Sequence, residues 1–298
     1  MVFKEAFYVA LALTGIHLAM AWPAPAAEPA LSFDKVLQQA ESDNAEAQFL
    51  LGVMELSSRR NPAAAARWLQ RGAEKGHDGA RMMLATLLFQ GQGVPADPPR
   101  AVALLREAAN NGRPEAFVML GQASLDGRVG RRDEAAAVEW FNGAVVRNSP
   151  EGRVNLAMMR LNGLGGPADP AAAASLFRAA AEQGSADGAF NFGMLSLRGL
   201  GVAADSSSAA NWLGWAAEAG HAGAQYNLGL LYGVGEGVEA DPALAVKWLA
   251  LAASRGSGDV KRRAEVKLRQ LAAPAGADAV AKGLGAARAW MASHQGRG

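Results

Sequence analysis

The chain contains no cysteine in its 298 residues. That excludes disulfides, thiolate metal sites, a cysteine nucleophile and a lipidated cysteine anchor. It is compatible with an oxidising compartment. An excess of charge of one sign is also missing: 29 Lys and Arg stand against 28 Asp and Glu, a formal net charge of +1. Nucleic-acid binding needs a basic face or stripe. The short basic spots Arg59-Arg60, Arg131-Arg132 and Lys261-Arg262-Arg263 read instead as solvated loop or helix ends. Nucleic acid is therefore not an expected partner.

Histidine is scarce, at four copies: His17, His77, His221 and His294. His77 and His221 stand 144 residues apart in equivalent turns, so they form neither a metal pair nor a catalytic dyad. A lone turn histidine reads as a solvated or capping group. No G-x-S-x-G, H-E-x-x-H or similar constellation occurs. No catalytic residue, metal site or cofactor is expected.

Long apolar runs are confined to the start of the chain. Lys4 precedes an apolar stretch from Ala6 to Trp22, followed by Pro23-Ala24-Pro25-Ala26-Ala27-Glu28. A basic start, a short apolar segment and an A-x-A end describe a secretory signal peptide over residues 1–26. Ala24-Pro25-Ala26 is the best cleavage motif and Ala19-Met20-Ala21 the second. The stretch is short for a membrane span, which needs roughly 20 residues. The expectation is a periplasmic or secreted product with no stable membrane insertion after cleavage.

What fills the rest is repetition. Trp68, Leu104, Trp140, Leu176, Trp212 and Trp248 recur every 36 residues. The next position repeats in step, as Leu69, Leu105, Phe141, Phe177, Leu213 and Leu249. A third column, Leu84, Leu120, Leu156, Phe192 and Leu228, is followed each time by alanine or glycine. A fixed period of this length means an all-α solenoid of stacked helical hairpins.

The six units are 44–77, 78–113, 114–149, 150–185, 186–221 and 222–257. The first lacks three residues in its internal loop. Each reads as helix A, loop, helix B, turn. Helix B starts at a recurring cap: Asn61, Asp97, Asp133, Asp169, Asp205 and Asp241. Proline follows four of these caps, at the first helical position. The Gly-x-Gly pairs Gly91/Gly93, Gly163/Gly165, Gly199/Gly201 and Gly235/Gly237 follow helices rather than strands, so they read as turns and not phosphate loops. Small residues mark close helix approaches, as at Ala47, Ala80, Ala116, Gly152, Gly188 and Ala224. The Trp column is expected to fill the core, so Trp140→Ala would cost about 3–5 kcal/mol if Trp140 is buried.

Before the repeats, 27–43 holds one helix with Ser32 as its cap. After them, 258–298 reads as a capping hairpin and tail: a helix from Asp259 to Leu271, an interruption at Pro274, and a last helix from Ala277 to Ser293.

The segment from Gly223 to Tyr232, then Gly235 to Val238, Asp241 to Trp248 and Ala252-Ala253 resembles the Sel-one-like repeat (SLR). That is a tetratricopeptide (TPR)-like family, and the resemblance covers 44–257. It implies a right-handed α-α superhelix with a concave face that binds peptides or proteins. Members resemble one another while serving as adaptors in signalling, secretion and envelope assembly. Some secreted members carry a disulfide per repeat and have been linked to β-lactam or cell-wall ligands; this chain departs from them. Its third repeat also departs, with Gly127-Arg128-Val129-Gly130 in place of the usual G-x-G-V loop.

The resemblance places one helix A column on the concave face: Asn155, Asn191 and Asn227, where earlier copies hold Leu50, Met83 and Met119. A ladder of side-chain amides can donate to and accept from a peptide backbone without reading its sequence. Phe190, Tyr226, Met158 and Met194 lie nearby on helix A, and methionines suit a tolerant groove. The competing role for the asparagines is to bond the adjacent helix and hold the repeats in register.

Three functions stay open. One is an exported, non-enzymatic scaffold that binds a protein or peptide partner in the periplasm through this face. The second is an enzyme or small-ligand receptor for cell-wall fragments or β-lactams, which needs a clustered acid, base or nucleophile. The third is a structural spacer in an envelope complex.

Overall fold

The computed structural model describes residues 32–128 and 130–294. The expected signal peptide, the start of the 27–43 segment and the tail at 295–298 lie outside the described residues. Within them there are fifteen helices and no strand. Helix α1 is Phe33–Glu41. Then come α2 (Ala45–Ser57) and α3 (Pro62–Glu74), α4 (Asp78–Gln90) and α5 (Pro98–Asn110), α6 (Pro114–Leu125) and α7 (Glu134–Val146). They are followed by α8 (Pro150–Asn162) and α9 (Pro170–Glu182), α10 (Ala186–Arg198) and α11 (Ser206–Glu218), α12 (Ala222–Val234) and α13 (Pro242–Arg255). The last two are α14 (Gly258–Ala275) and α15 (Ala277–Ser293).

The chain forms two compact units, one ending at Gly152 and one beginning at Arg153. In each, consecutive helices pack on one another as stacked hairpins. The caps explain where helix B begins. The side chains of Asn61, Asp97, Asp133, Asp169, Asp205 and Asp241 each accept the backbone N–H three residues on, at 2.9–3.1 Å. Such a cap is worth about 1 kcal/mol.

The Gly-x-Gly loops are turns with two separate demands. Gly91 closes α4 in the left-handed conformation, at φ 65°. Gly93, at φ 71°, presses on the start of α3, where an added Cβ would lie 2.2 Å from the carbonyl carbon of Pro62. Gly201 on Pro170 and Gly237 on Ser206 repeat that contact in the second unit.

The core runs along the second sequence column, not the first. Leu69, Leu105, Phe141, Phe177, Leu213 and Leu249 are each at most 2% exposed. Four hairpins seat this residue on a glycine in their helix A: Gly52 faces Leu69, Gly121 faces Phe141, Gly193 faces Leu213 and Gly229 faces Leu249. Trp68, Leu104, Trp140, Leu176 and Trp212 are only half-buried. This corrects the expectation that the Trp column fills the core. Neighbouring residues point about 100° apart on a helix of 3.6 residues per turn. Only one of the two can face its own helix A; the other leans along the side of the hairpin. Trp248 is the exception and is buried, because α15 brings Ala287 and Trp290 against it.

The C-terminal helices also differ from a hairpin. Both α14 and α15 pack on α13, and more closely there than on each other. Helix α14 runs through Pro274 and stops at Gly276, φ 81°. A proline this near the helix end forfeits one exposed backbone bond, so the helix ends at the glycine instead.

Candidate functional site

The asparagine column lies within the second unit, on α8, α10 and α12. Asn191 and Asn227 are half-buried, and each donates from Nδ2 to a carbonyl one turn back in its own helix, Asp187 and Gly223, at 2.8 Å. Asn155 is half-buried on α8. These intrahelical bonds are not the bridge to an adjacent helix that a register role requires. A side-chain amide has two N–H donors and an oxygen with two lone pairs. At Asn191 and Asn227 the observed bond uses one donor and fixes the orientation of the rest.

The neighbouring candidates separate. Met158 is exposed at 41%. Met194 is half-buried, packed against the cluster that includes Leu213 and Leu228. Phe190 is stacked on the ring of His221, with centroids 4.3 Å apart. Tyr226 is buried with Leu249, Ala252 and Ala264, and the Arg263 guanidinium lies 4.9 Å from its ring centroid. Tyr226 is therefore a core residue at the junction with the C-terminal helices and not part of an open face. Its phenol ring fills space that α14 closes.

A constellation not expected from the sequence surrounds the two turn histidines. His221 caps α12 by accepting the Ala224 N–H at Nδ1, at 2.9 Å, and turns Nε2 towards Asp187 at 3.4 Å. His77 does the same in the first unit: Nδ1 accepts the Ala80 N–H at 3.0 Å, Nε2 lies 2.8 Å from Glu46, and the ring stacks on Phe49 at 4.6 Å. A neutral ring with its proton on Nε2 satisfies both contacts. Each histidine thus joins helix A of one repeat to helix A of the repeat before it. The signal was present in the sequence. Glu46 and Phe49 match Asp187 and Phe190 once the three missing loop residues are counted.

Buried glutamines make a similar link. Gln225 donates from Nε2 to the Ala217 carbonyl and Gln48 to that of Ala40, both at 3.1 Å. Their Oε1 atoms are buried without a partner. Among the described residues no three His, Asp or Glu gather as a metal site. No helix there is long and apolar enough to cross a membrane.

The Sel1 repeat model matches six segments: 45–77, 79–112, 114–144, 150–185, 186–221 and 222–257. The chain belongs to the Sel1 repeat family. Its fold is that of other Sel1 repeat solenoids. A protective antigen of uropathogenic Escherichia coli strains with an SLR fold superimposes with a TM-score of 0.67 at 29% identity. The match covers 89% of this chain but only 57% of the antigen. A Sel1 repeat protein from Oxalobacter formigenes gives 0.64 at 22% identity, covering 76% of this chain and 94% of that one. No curated relative matches the chain. Sel1 repeat proteins generally mediate protein–protein interaction and are typically non-enzymatic, and no catalytic family is indicated.

Proposed function

We propose that this Sel1 repeat protein is a non-enzymatic scaffold that holds a peptide or protein partner in the periplasm through the helix A surface around Asn155, Asn191 and Asn227. The observation that carries this reading is the anchoring of Asn191 and Asn227 to their own helices. Partly exposed amides held by intrahelical bonds lose little freedom on binding, which favours affinity. Met158 adds adaptable apolar surface beside them. The periplasmic assignment rests on the signal-like segment at 1–26.

The test is an affinity capture from periplasmic extract with the mature chain and with the triple variant Asn155→Ala, Asn191→Ala, Asn227→Ala. The scaffold reading expects a protein held by the native chain and lost by a variant of unchanged thermal midpoint. Equal capture by both would remove this face as the site. Retention of the uncleaved N-terminus in the cytoplasm would remove the periplasmic assignment.

A further inference from the structure

The first unit contains a cavity of about 610 Å³ lined by Val102 and Arg106 of α5, Leu120 and Ser124 of α6, Arg131, Arg132 and Asp133, and Ala136 and Trp140 of α7. That falls within the roughly 300–1,000 Å³ of ordinary ligand pockets. Its walls mix apolar and polar surface, and its rim carries three arginines against one carboxylate, Asp133, which is engaged as the cap of α7 on the Ala136 N–H. Arg132 is already engaged, with Nε and Nη2 on Glu134 at 3.1 and 2.8 Å. Arg106 and Arg131 are exposed, and neither has a carboxylate partner among the described residues.

The cavity lies beside the loop of the third repeat, whose sequence lacks the G-x-G-V pattern. Where three other repeats press Gly93, Gly201 and Gly237 onto the preceding helix B at positive φ, the third has valine at that position in sequence, Val129. At Gly130 a built Cβ meets nothing within 4 Å. The same loop brings the charge. Positions equivalent to Arg131 and Arg132 are Pro95-Ala96, Pro167-Ala168, Ala203-Ala204 and Glu239-Ala240 in four other copies; the first repeat has Arg59-Arg60 there, with Arg59 on Glu55 at 3.3 Å.

We propose that this cavity takes an acidic segment of a partner protein, with an apolar side chain against Trp140 and flanking carboxylates on Arg106 and Arg131. Guanidinium groups bind carboxylates through paired N–H bonds, and an aromatic wall beside them supplies the apolar anchor. This rests on the reading of the chain as an interaction scaffold, but at a site separate from the asparagine column.

The experiment uses the full chain and a fluorescein-labelled Gly-Ser peptide with an Asp-Phe-Glu core, at low salt. Controls carry Asn-Phe-Gln or Asp-Gly-Glu cores. Anisotropy gives affinity, and the Trp140 indole resonance, assigned through Trp140→Phe, reports the place. Expected is binding that moves this resonance and weakens by at least about tenfold with either control core, or in the double variant Arg106→Gln, Arg131→Gln. Both arginines are exposed, so the double variant should keep the thermal midpoint. Equal binding of the neutral core, an unmoved Trp140 signal, or an equal shift from citrate alone would overturn the proposal. The triple asparagine variant should bind the peptide as the native chain does, which separates failure of this site from failure of the helix A surface.

Discussion

Gly121 of α6 lies under the ring of Phe141 of α7, so closely that a methyl group built on the glycine would sit 2.5 Å from Cε1. The same seat is offered by Gly193 to Leu213, where the built methyl is 3.0 Å from Cγ. The ring, itself fully buried, has little room to retreat. Gly121→Ala should therefore lower stability by about 1–3 kcal/mol through overpacking. Gly214, inside α11, is the control. Its nearest neighbour to a built Cβ is 4.0 Å away, so Gly214→Ala should raise stability by up to about 1 kcal/mol through helix propensity. Urea midpoints of the two variants check both signs. Destabilisation at Gly214 would refute the open-space account.

The two tryptophans of one sequence column should differ in cost. Trp248 is 4% exposed, and its truncation to alanine should cost about 3–5 kcal/mol. Trp140 is half-buried beside the open cavity, so Trp140→Ala should cost less than about 2 kcal/mol. Thermal denaturation of the two variants measures the difference. Equal losses would mean that Trp140 is as buried as Trp248.

Gln225 offers a test of what its buried amide contributes. Its partner carbonyl, Ala217, also accepts the Gly220 N–H at 3.0 Å. Gln225→Met removes an oxygen that has no partner and leaves that carbonyl satisfied, so its effect should stay within about 1 kcal/mol. Gln225→Glu places a carboxylate beside the same carbonyl in the core and should cost more than about 2 kcal/mol at neutral pH. Chemical denaturation at pH 7 and pH 5 distinguishes them, with the glutamate variant recovering as the carboxyl is protonated.

Asp43 sets a pH dependence in the first unit. Hydrogen bonds from Lys75 at 3.0 Å and Arg71 at 3.1 Å, with the Lys75 charge, hold its carboxyl below the usual carboxylate range. A depressed folded-state value means the stabilisation is present above the unfolded pKa of about 3.9 and is lost as pH falls through the folded one. The stability gap between the native chain and Asp43→Asn should therefore close on acidification below about pH 4. Asparagine suits the left-handed backbone at this position, φ 64°. A gap that stays constant down to acid pH would show that the ion pairs contribute nothing. High salt should narrow the gap at neutral pH, because both partners are solvent-exposed.

The sequence by itself determined the period, the helix starts and the breakers. An aspartate or asparagine at Asp97, Asp205 or Asn61 caps a helix through atoms three residues away, and Gly91 ends one through its own φ. Such events are local, so a single sequence carries them. Tertiary structure decided which of two adjacent columns faces inward, because Trp140 and Phe141 differ only in the direction their side chains leave one helix. It also decided that Tyr226 is core, since α14 covers it. Trp290 donates its indole N–H to Glu218, 72 residues earlier, to seat α15. The asparagine column was legible as a spacing, but its intrahelical anchoring was not. The cavity by Trp140 was legible only as an irregular loop. Burial and orientation depend on what neighbouring repeats bring into contact, and that is fixed by packing between distant segments rather than by local spacing.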